Sequence, residues 1–221
     1  MRLALAAVAV LCLGLAGASA STAGSAAPVR VTLVGDSVAA SISHVPAARA
    51  RLRRGLAVRL DLAVCRRLVQ PGCSYRGRTP ASALDVVRSL GRSLGTVLVV
   101  DVGYNESAQS YRTGIDRLVR AALAQGATGI VWVTLRETSD TYRRSNRAIR
   151  AAARRWPQLV VADWNAFSAG KPWFGSDGLH LSAQGATALA SFLRPYVLRA
   201  AGAARGGRDR SQNPYASRTA P

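Results

Sequence analysis

Three residues of this chain have the types and the spacing needed to cleave an ester. Ser37 follows the apolar run VTLVGD at residues 31–36, and Asp177 and His180 share the segment DGLH. A serine hydroxyl is a weak nucleophile unless a base, usually histidine, removes its proton. In a turn, a carboxylate three residues before a histidine can reach Nδ1–H and leave Nε2 free to face a serine.

Each of these residues also has a purely structural interpretation. Asp36 or Ser37 can simply cap the helix that follows, and D-x-x-H is a common loop sequence. The only other histidine, His44, lies seven residues after Ser37, about 10 Å along a helix axis. We therefore interpret His44 as a surface or structural residue, and His180 as the candidate base.

An attacked ester carbonyl becomes an oxyanion, which needs fixed hydrogen-bond donors. The backbone N–H of Ser37, at the start of a predicted helix, is one candidate. A backbone N–H near Cys65 is a second, and the side-chain amide of Asn105 is a third. The alternative for Gly103–Asn105 is a plain turn, in which Gly and Asn are expected residues.

Strand-like and helix-like segments alternate between these residues. The strand candidates are rich in Val and Leu on successive positions, as in strands that are covered on both faces. They are residues 29–34, 56–64, 96–102, 129–135 and 158–163. The helix candidates are residues 38–54, 80–93, 109–125, 141–155 and 182–200.

Five β-then-α units predict a five-stranded parallel sheet with helices on both faces, which is a three-layer α/β/α sandwich. Ligands of such sheets bind outside the carboxyl ends of the strands. Ser37, Cys65 and Asn105 each follow a predicted strand, and Asp177 and His180 precede the last helix. We therefore expect all five residues on the same rim of the sheet.

The two ends of the chain differ from the segment between them. Residues 1–20 read as a signal peptide cleaved after Ala20, with an uncleaved anchor helix as the alternative. Residues 21–28 are a small-residue linker, 29–201 the folded domain, and 202–221 a disordered basic tail. We expect a secreted or cell-envelope protein with no transmembrane span once the signal is removed.

The mature chain keeps two cysteines, Cys65 and Cys73. In an exported protein, a pair eight positions apart suggests a local disulfide. Two thiols without neighbouring histidines make a poor metal site. We expect neither a metal nor an organic cofactor, since GDSVAAS also lacks the glycine pattern of a dinucleotide site.

The formal charge of +19 rests almost wholly on arginine, because Lys171 is the only lysine. This balance favours anionic surroundings such as cell-envelope polymers. The arginines are scattered over several predicted helices and do not form one basic stripe with interleaved aromatics. Nucleic acid is therefore not the expected partner.

The order of the motifs resembles the SGNH hydrolase superfamily, the GDSL esterases, over about residues 29–200. The motifs occur in the order that the superfamily has: GDS, a polar loop after the second strand, G-x-N and D-x-x-H. The resemblance implies a flavodoxin-like α/β fold and an ester substrate. It also implies Ser37 as nucleophile, Asn105 as oxyanion donor, His180 as base and Asp177 as the partner of that base.

Three positions depart from the pattern of the superfamily. Val38 replaces the leucine of GDSL, and Glu106 stands where many members have aspartate. Cys65 occupies the position at which the superfamily usually supplies an oxyanion glycine. Its backbone N–H can still serve, because a backbone donor needs no particular side chain. Gly72 and Gly77 are the other candidates for this donor.

Three further segments, WVTLRE (132–137), ADWN (162–165) and DGLHLSAQG (177–185), are similar to SGNH domains of actinobacterial exported proteins. This likeness implies O-acyl groups of envelope carbohydrate as the substrate, by hydrolysis or by transfer. Trp164, Trp173 and Phe174 are candidates either for a sugar site or for the core.

The sequence therefore predicts an exported, monomeric serine ester hydrolase that acts on a small-molecule or carbohydrate ester. An O-acyltransferase that uses the same site is one alternative. An inactive envelope-binding module is another, and the presence of all four expected side chains argues against it. A nucleic-acid binder is the last, and it predicts salt-dependent binding without hydrolysis.

Overall fold

In the computed structural model, which describes residues 27–212, strands and helices alternate along the chain. The strands are β1 (Val29–Gly35), β2 (Leu56–Leu62), β3 (Val97–Asp101), β4 (Gly129–Val133) and β5 (Leu159–Ala162). The α-helices are α1 (Ser37–His44), α2 (Pro46–Arg53), α3 (Ala83–Leu90), α4 (Ala108–Ala124), α5 (Asp140–Arg155), α6 (Trp164–Phe167) and α7 (Ala183–Gln212). A 3-10 helix, Gly91–Leu94, joins α3 to β3.

The five strands form one parallel sheet in the order β2-β1-β3-β4-β5. The carboxyl ends of β1, β2 and β3 lie side by side at one edge of the sheet, since Gly35 pairs with both Leu62 and Asp101. The strand order reverses between β1 and β3, and crevices at such points are the usual ligand sites of open α/β sheets. The predicted parallel α/β sheet is confirmed.

Helices cover both faces of the sheet, each over its own apolar core. Helices α1, α2 and α7 pack on one face, and α3, α4 and α5 pack on the other. Successive side chains of a strand point to opposite faces. Accordingly Leu33 lies in the first core and Val34 in the second, and both are fully buried. The three-layer sandwich is therefore present as predicted.

The helix predicted over residues 38–54 is two helices, α1 and α2, that meet at Val45. Pro46 has no N–H to donate and disfavours helical dihedrals in the residue before it. Val45 accordingly has an extended backbone, with φ −109° and ψ 105°. This break turns the chain at the end of the helix that begins with Ser37.

Helix α7 continues to Gln212, so it enters the segment 202–221 that was predicted as a disordered tail. Ala and Arg, both strong helix formers, favour this extension. The predicted signal peptide, residues 21–26 of the linker, and residues 213–221 lie outside the described residues. None of the helices between residues 27 and 212 combines the length and the apolar character that crossing a membrane requires.

Candidate active site

Ser37 is the first residue of α1, and Asp36 before it is the cap of that helix. The turn from β1 into α1 is very tight. A Cβ on Gly35 would lie 2.3 Å from the Cβ of Ala39 and 2.8 Å from Leu62, so only glycine fits there. The start of α1 is thereby held against the end of the sheet, with the Ser37 side chain on the rim.

The Asp36 side chain is fully buried and joins the start of α1 to the loop after β3. Its Oδ1 accepts the N–H of Val38 at 3.1 Å, which caps α1. Its Oδ2 accepts the N–H groups of Gly103 and Tyr104 at 3.0 and 3.1 Å, in the loop after β3. Burial raises the pKa of Asp36 to about 6, although these three hydrogen bonds act in the opposite direction. This one carboxyl group therefore fixes Ser37 relative to the loop that carries Asn105.

Ser37, His180 and Asp177 form a continuous hydrogen-bonded relay. Ser37 Oγ lies 2.9 Å from His180 Nε2, and His180 Nδ1 lies 2.6 Å from Asp177 Oδ2. The other carboxylate oxygen, Oδ1, accepts the backbone N–H groups of Leu179 and His180. The hydrogen bond from His180, followed by these backbone N–H groups, lowers the pKa of Asp177 to about 2.

Arg136 holds the turn that carries Asp177 and His180. Its guanidinium donates to the carbonyl of Gly178 and stacks on the ring of Phe174, with 3.7 Å between Cζ and the ring centroid. Its backbone N–H donates to the hydroxyl of Tyr104 at 2.7 Å. Arg136 thus connects the loop after β3 to the Asp177–His180 turn. The sequence analysis noted WVTLRE without giving this residue a role.

The backbone N–H groups of Ser37 and Cys65, both on the rim, donate no hydrogen bond to another of residues 27–212. Both belong to the predicted oxyanion hole. The third predicted donor, Asn105, uses its amide nitrogen to donate to the carbonyl of Arg66 at 3.1 Å. That amide has a second hydrogen, so Asn105 can brace the loop after β2 and also donate to an oxyanion.

Cys65 has φ 67°, in the left-handed region that glycine adopts most readily. It therefore has the conformation suited to the glycine that the superfamily usually has at this position. The predicted disulfide between Cys65 and Cys73 is present, and the Cys73 N–H donates to the Cys65 carbonyl at 3.2 Å. Gly72 packs directly against that carbonyl, whereas Gly77 lies in an exposed turn. These positions favour Cys65 over the two glycines as the donor.

Glu106, the departure from the usual aspartate, braces the same loop from the side of β3. One of its carboxylate oxygens accepts the N–H of Leu68, and the other accepts the hydroxyl of Ser110 at 3.2 Å. The side chain is almost wholly buried. Glu106 therefore supports the position of the Cys65 loop without facing the rim.

A groove of about 520 Å³ opens beside Ser37 and His180. Its other walls are mostly apolar and include Val64 and Tyr75. His44 also lines this groove and is exposed, in agreement with a surface position. Within the described chain, the hydrogen-bond partner of Ser37 Oγ is His180.

The three aromatic residues that were candidates either for a sugar site or for the core are not among the residues that line the groove. Trp164 is buried in the core, where it stacks on Trp173 with 5.8 Å between ring centroids. The ring of Phe174 is covered by Arg136. The sugar-site interpretation of Trp164 is therefore wrong: its large apolar ring is used to join α6 to α7. Among residues 27–212, no three His, Cys, Asp or Glu residues are grouped as metal ligands.

Comparison with known proteins gives matches at the level of structure. No family model and no curated protein matches this chain. A carbohydrate acetylesterase family member from Sinorhizobium meliloti superposes with a TM-score of 0.61 at 17% identity, over 78% of this chain and 99% of that one. The psychrotrophic esterase EstA from Pseudoalteromonas sp. superposes with a TM-score of 0.56 at 12% identity, over 77% and 96%.

At these identities the likeness establishes the fold alone. The chain has the α/β fold of the SGNH hydrolases, with a serine, histidine and aspartate relay at the carboxyl end of its sheet.

Proposed function

We propose that this protein is a serine ester hydrolase of the SGNH type. The observation that carries the proposal is the 2.9 Å contact between Ser37 Oγ and His180 Nε2. The other ring nitrogen, His180 Nδ1, lies 2.6 Å from Asp177 Oδ2. Donor and acceptor distances of this kind are those that proton transfer during nucleophilic attack requires. The chain separates Ser37 and His180 by 143 positions, so the contact depends on the whole fold.

In the first half of the reaction, Ser37 Oγ attacks the acyl carbon while its proton passes to His180 Nε2. The carbonyl oxygen becomes an oxyanion that accepts hydrogen bonds from the N–H groups of Ser37 and Cys65 and from the Asn105 amide. The bond between the acyl carbon and the alcohol oxygen then breaks. The alcohol leaves with the proton from Nε2, and the acyl group stays on Oγ.

In the second half, a water molecule attacks the acyl carbon and gives a proton to His180 Nε2. The bond between the acyl carbon and Oγ breaks, Oγ regains that proton, and the carboxylic acid leaves. Asp177 remains a carboxylate throughout, because its pKa is lowered to about 2. It holds the tautomer with hydrogen on Nδ1 and stabilises the imidazolium that forms twice per turnover.

We propose further that the protein is exported and acts on O-acyl groups of cell-envelope carbohydrate. The signal-like residues 1–20 and the Cys65–Cys73 disulfide support export, because disulfides persist in oxidising compartments. The likeness of the fold to a carbohydrate acetylesterase family member supports a sugar ester. The open groove beside Ser37 supports a substrate that extends beyond the acyl group.

The test is hydrolysis of p-nitrophenyl esters, from acetyl upward in chain length, by the wild-type protein and by Ser37→Ala. We expect turnover by the wild type and loss of turnover in the variant. Ser43→Ala is the matched control, because the Ser43 hydroxyl lies on the same helix and donates to the Ala40 carbonyl. Mass spectrometry after treatment with a fluorophosphonate then identifies the labelled residue.

A label on Ser37 that is absent from Ser37→Ala supports the proposed nucleophile. Hydrolysis that survives Ser37→Ala, or a label on another serine, would contradict it. A preference for acetyl over longer acyl chains supports work on acetylated sugars, whereas a preference for long chains contradicts that part of the proposal.

A further inference from the structure

We infer that the substrate ester carries an anionic group, and that Arg76 and Arg78 bind this group while the ester lies at Ser37. The inference rests on the proposed ester hydrolysis and specifies its substrate class. It assigns a specificity role to the disulfide-tied hairpin around Tyr75, which the relay does not use.

The groove at Ser37 does not end at Tyr75. A second cavity of about 500 Å³ lies on the far side of Tyr75 and Val64 and is lined by Arg76 and Arg78. Tyr75 and Val64 line both spaces. They are also two of the few large apolar side chains that stay exposed, at 46% and 37% of their surface. A substrate can therefore extend from Ser37 across an apolar surface to two guanidinium groups.

The hairpin holds the two arginines in a defined place. The Tyr75 N–H donates to the Arg78 carbonyl at 2.9 Å, and the Arg78 N–H donates to the Tyr75 carbonyl at 3.0 Å. Arg76 and Gly77 both have positive φ, 50° and 71°, as a two-residue type I′ turn requires. The disulfide joins Cys73, at the base of this hairpin, to Cys65, whose N–H belongs to the proposed oxyanion hole.

The charges of Arg76 and Arg78 are not neutralised by the protein. In the part of the chain that the structure describes, ion pairs to carboxylates are made by other arginines, including Arg66 and Arg155. Arg76 and Arg78 are in none of these pairs, and both are exposed. Arg76 lies over the ring of Tyr75, 5.3 Å from its centroid, so its guanidinium is beside a residue that lines both spaces.

These features fit an O-acyl ester on a sugar residue that bears a carboxylate or phosphate. A guanidinium presents paired N–H donors that match either anion. The ring of Tyr75 provides an apolar face of the size that a sugar ring covers, with a polar tip. Carboxylate and phosphate offer the same recognition chemistry, so the experiment uses one probe for each.

The test measures the release of acetate from two pairs of substrates, in each of which one member carries the anionic group and the other lacks it. The first pair is O-acetylated trigalacturonate and its methyl ester, and the second is O-acetylated glucose 6-phosphate and O-acetylated glucose. For at least one pair we expect the anionic substrate to have a kcat/KM about fivefold higher, mostly through KM, as is typical of exposed ion pairs. High salt should reduce this ratio toward one.

In the double variant Arg76→Gln/Arg78→Gln, we expect the ratio to fall to about one. Arg88→Gln/Arg117→Gln is the matched control, because these arginines line a separate cavity on the side of α3 and α4. It should keep the wild-type ratio. Circular dichroism checks that each variant is folded, and Arg78→Glu, which should reverse the preference, provides a second test of the sign.

The outcomes separate this inference from the proposed function. Hydrolysis of p-nitrophenyl acetate with equal rates in both substrate pairs would overturn the anionic substrate alone. An anionic preference that the double variant retains would also overturn it, because the anion would then bind elsewhere. Absence of hydrolysis of p-nitrophenyl acetate would instead contradict the esterase.

Discussion

Removing the disulfide between Cys65 and Cys73 should cost both stability and activity. The two cysteines are eight positions apart, and a disulfide that closes a loop of this length lowers the entropy of the unfolded chain. This effect raises the free energy of unfolding by about 2.5 kcal/mol. For a domain of this size, the loss of that free energy corresponds to a fall in Tm of roughly 5–10 °C. The double variant Cys65→Ala/Cys73→Ala should show this shift in a thermal melt.

The effect on activity depends on which residue replaces Cys65. With φ 67°, position 65 favours glycine, and a side chain there costs on the order of 1 kcal/mol. Once the disulfide no longer enforces it, alanine can leave this conformation and turn the N–H away from the oxyanion. Loss of one oxyanion donor lowers kcat by about 10²–10³-fold. Cys65→Gly/Cys73→Ala should therefore keep more activity than Cys65→Ala/Cys73→Ala.

The assay is kcat/KM for p-nitrophenyl acetate, measured well below the Tm of each variant. The expected order of kcat/KM is wild type, then the glycine variant, then the alanine variant. The last two should differ about fivefold, because a factor of about five corresponds to the cost of about 1 kcal/mol for a side chain at position 65. Equal activity of the two variants would show that the conformation of residue 65 does not matter for catalysis. A wild-type Tm in both variants would refute the role of the disulfide in stability.

The remaining predictions concern carboxylates and the arginine behind the relay. Asp177→Asn should lower kcat by about 10⁴-fold without changing the circular dichroism spectrum, because an amide can favour the wrong tautomer of His180. Arg136→Met should lower kcat about tenfold to a hundredfold and leave KM nearly constant, since the methionine keeps the Phe174 contact but not the bond to Gly178. Arg136→Lys should recover part of that loss. Burial, followed by the nearby Asp36, raises the pKa of Asp101 well above its ordinary value. The free energy of unfolding of the wild type should therefore fall relative to that of Asp101→Asn as the pH rises. The fall should begin at the ordinary carboxyl pKa and end at the raised pKa of Asp101, and urea unfolding over a pH series would measure it.

The sheet could be predicted from the sequence because its strands are buried on both faces. Their runs of Val and Leu identify them without any alternation, and the βα order then fixes the parallel arrangement. The break at Pro46 was missed by the helix predicted over residues 38–54, although proline breaks helices through local sterics alone. The extension of α7 was harder to foresee, because residues 202–212 contain opposing signals. The glycines at 202, 206 and 207 suggest that the helix ends there, whereas the surrounding Ala and Arg favour its continuation.

The site was predictable in part because its members follow strand ends. Ser37, Cys65 and Asn105 could be placed on one rim from the order of the elements alone. The role of Arg136 could not, because it depends on contacts with Gly178, 42 positions away. Trp164 was ambiguous for a related reason: an aromatic ring suits a core and a sugar site equally well until its neighbours are known.

Asp36 shows that capping and reactivity at the GDS segment are not alternatives. Its carboxylate caps α1 through the N–H of Val38, and the cap places Ser37 in the first turn of the helix. The same carboxylate fixes Gly103 and Tyr104, the two residues before Asn105. If Ser37 were itself the cap residue, its hydroxyl would bond to the helix backbone. Because Asp36 is the cap, the Ser37 hydroxyl can bond to His180 instead.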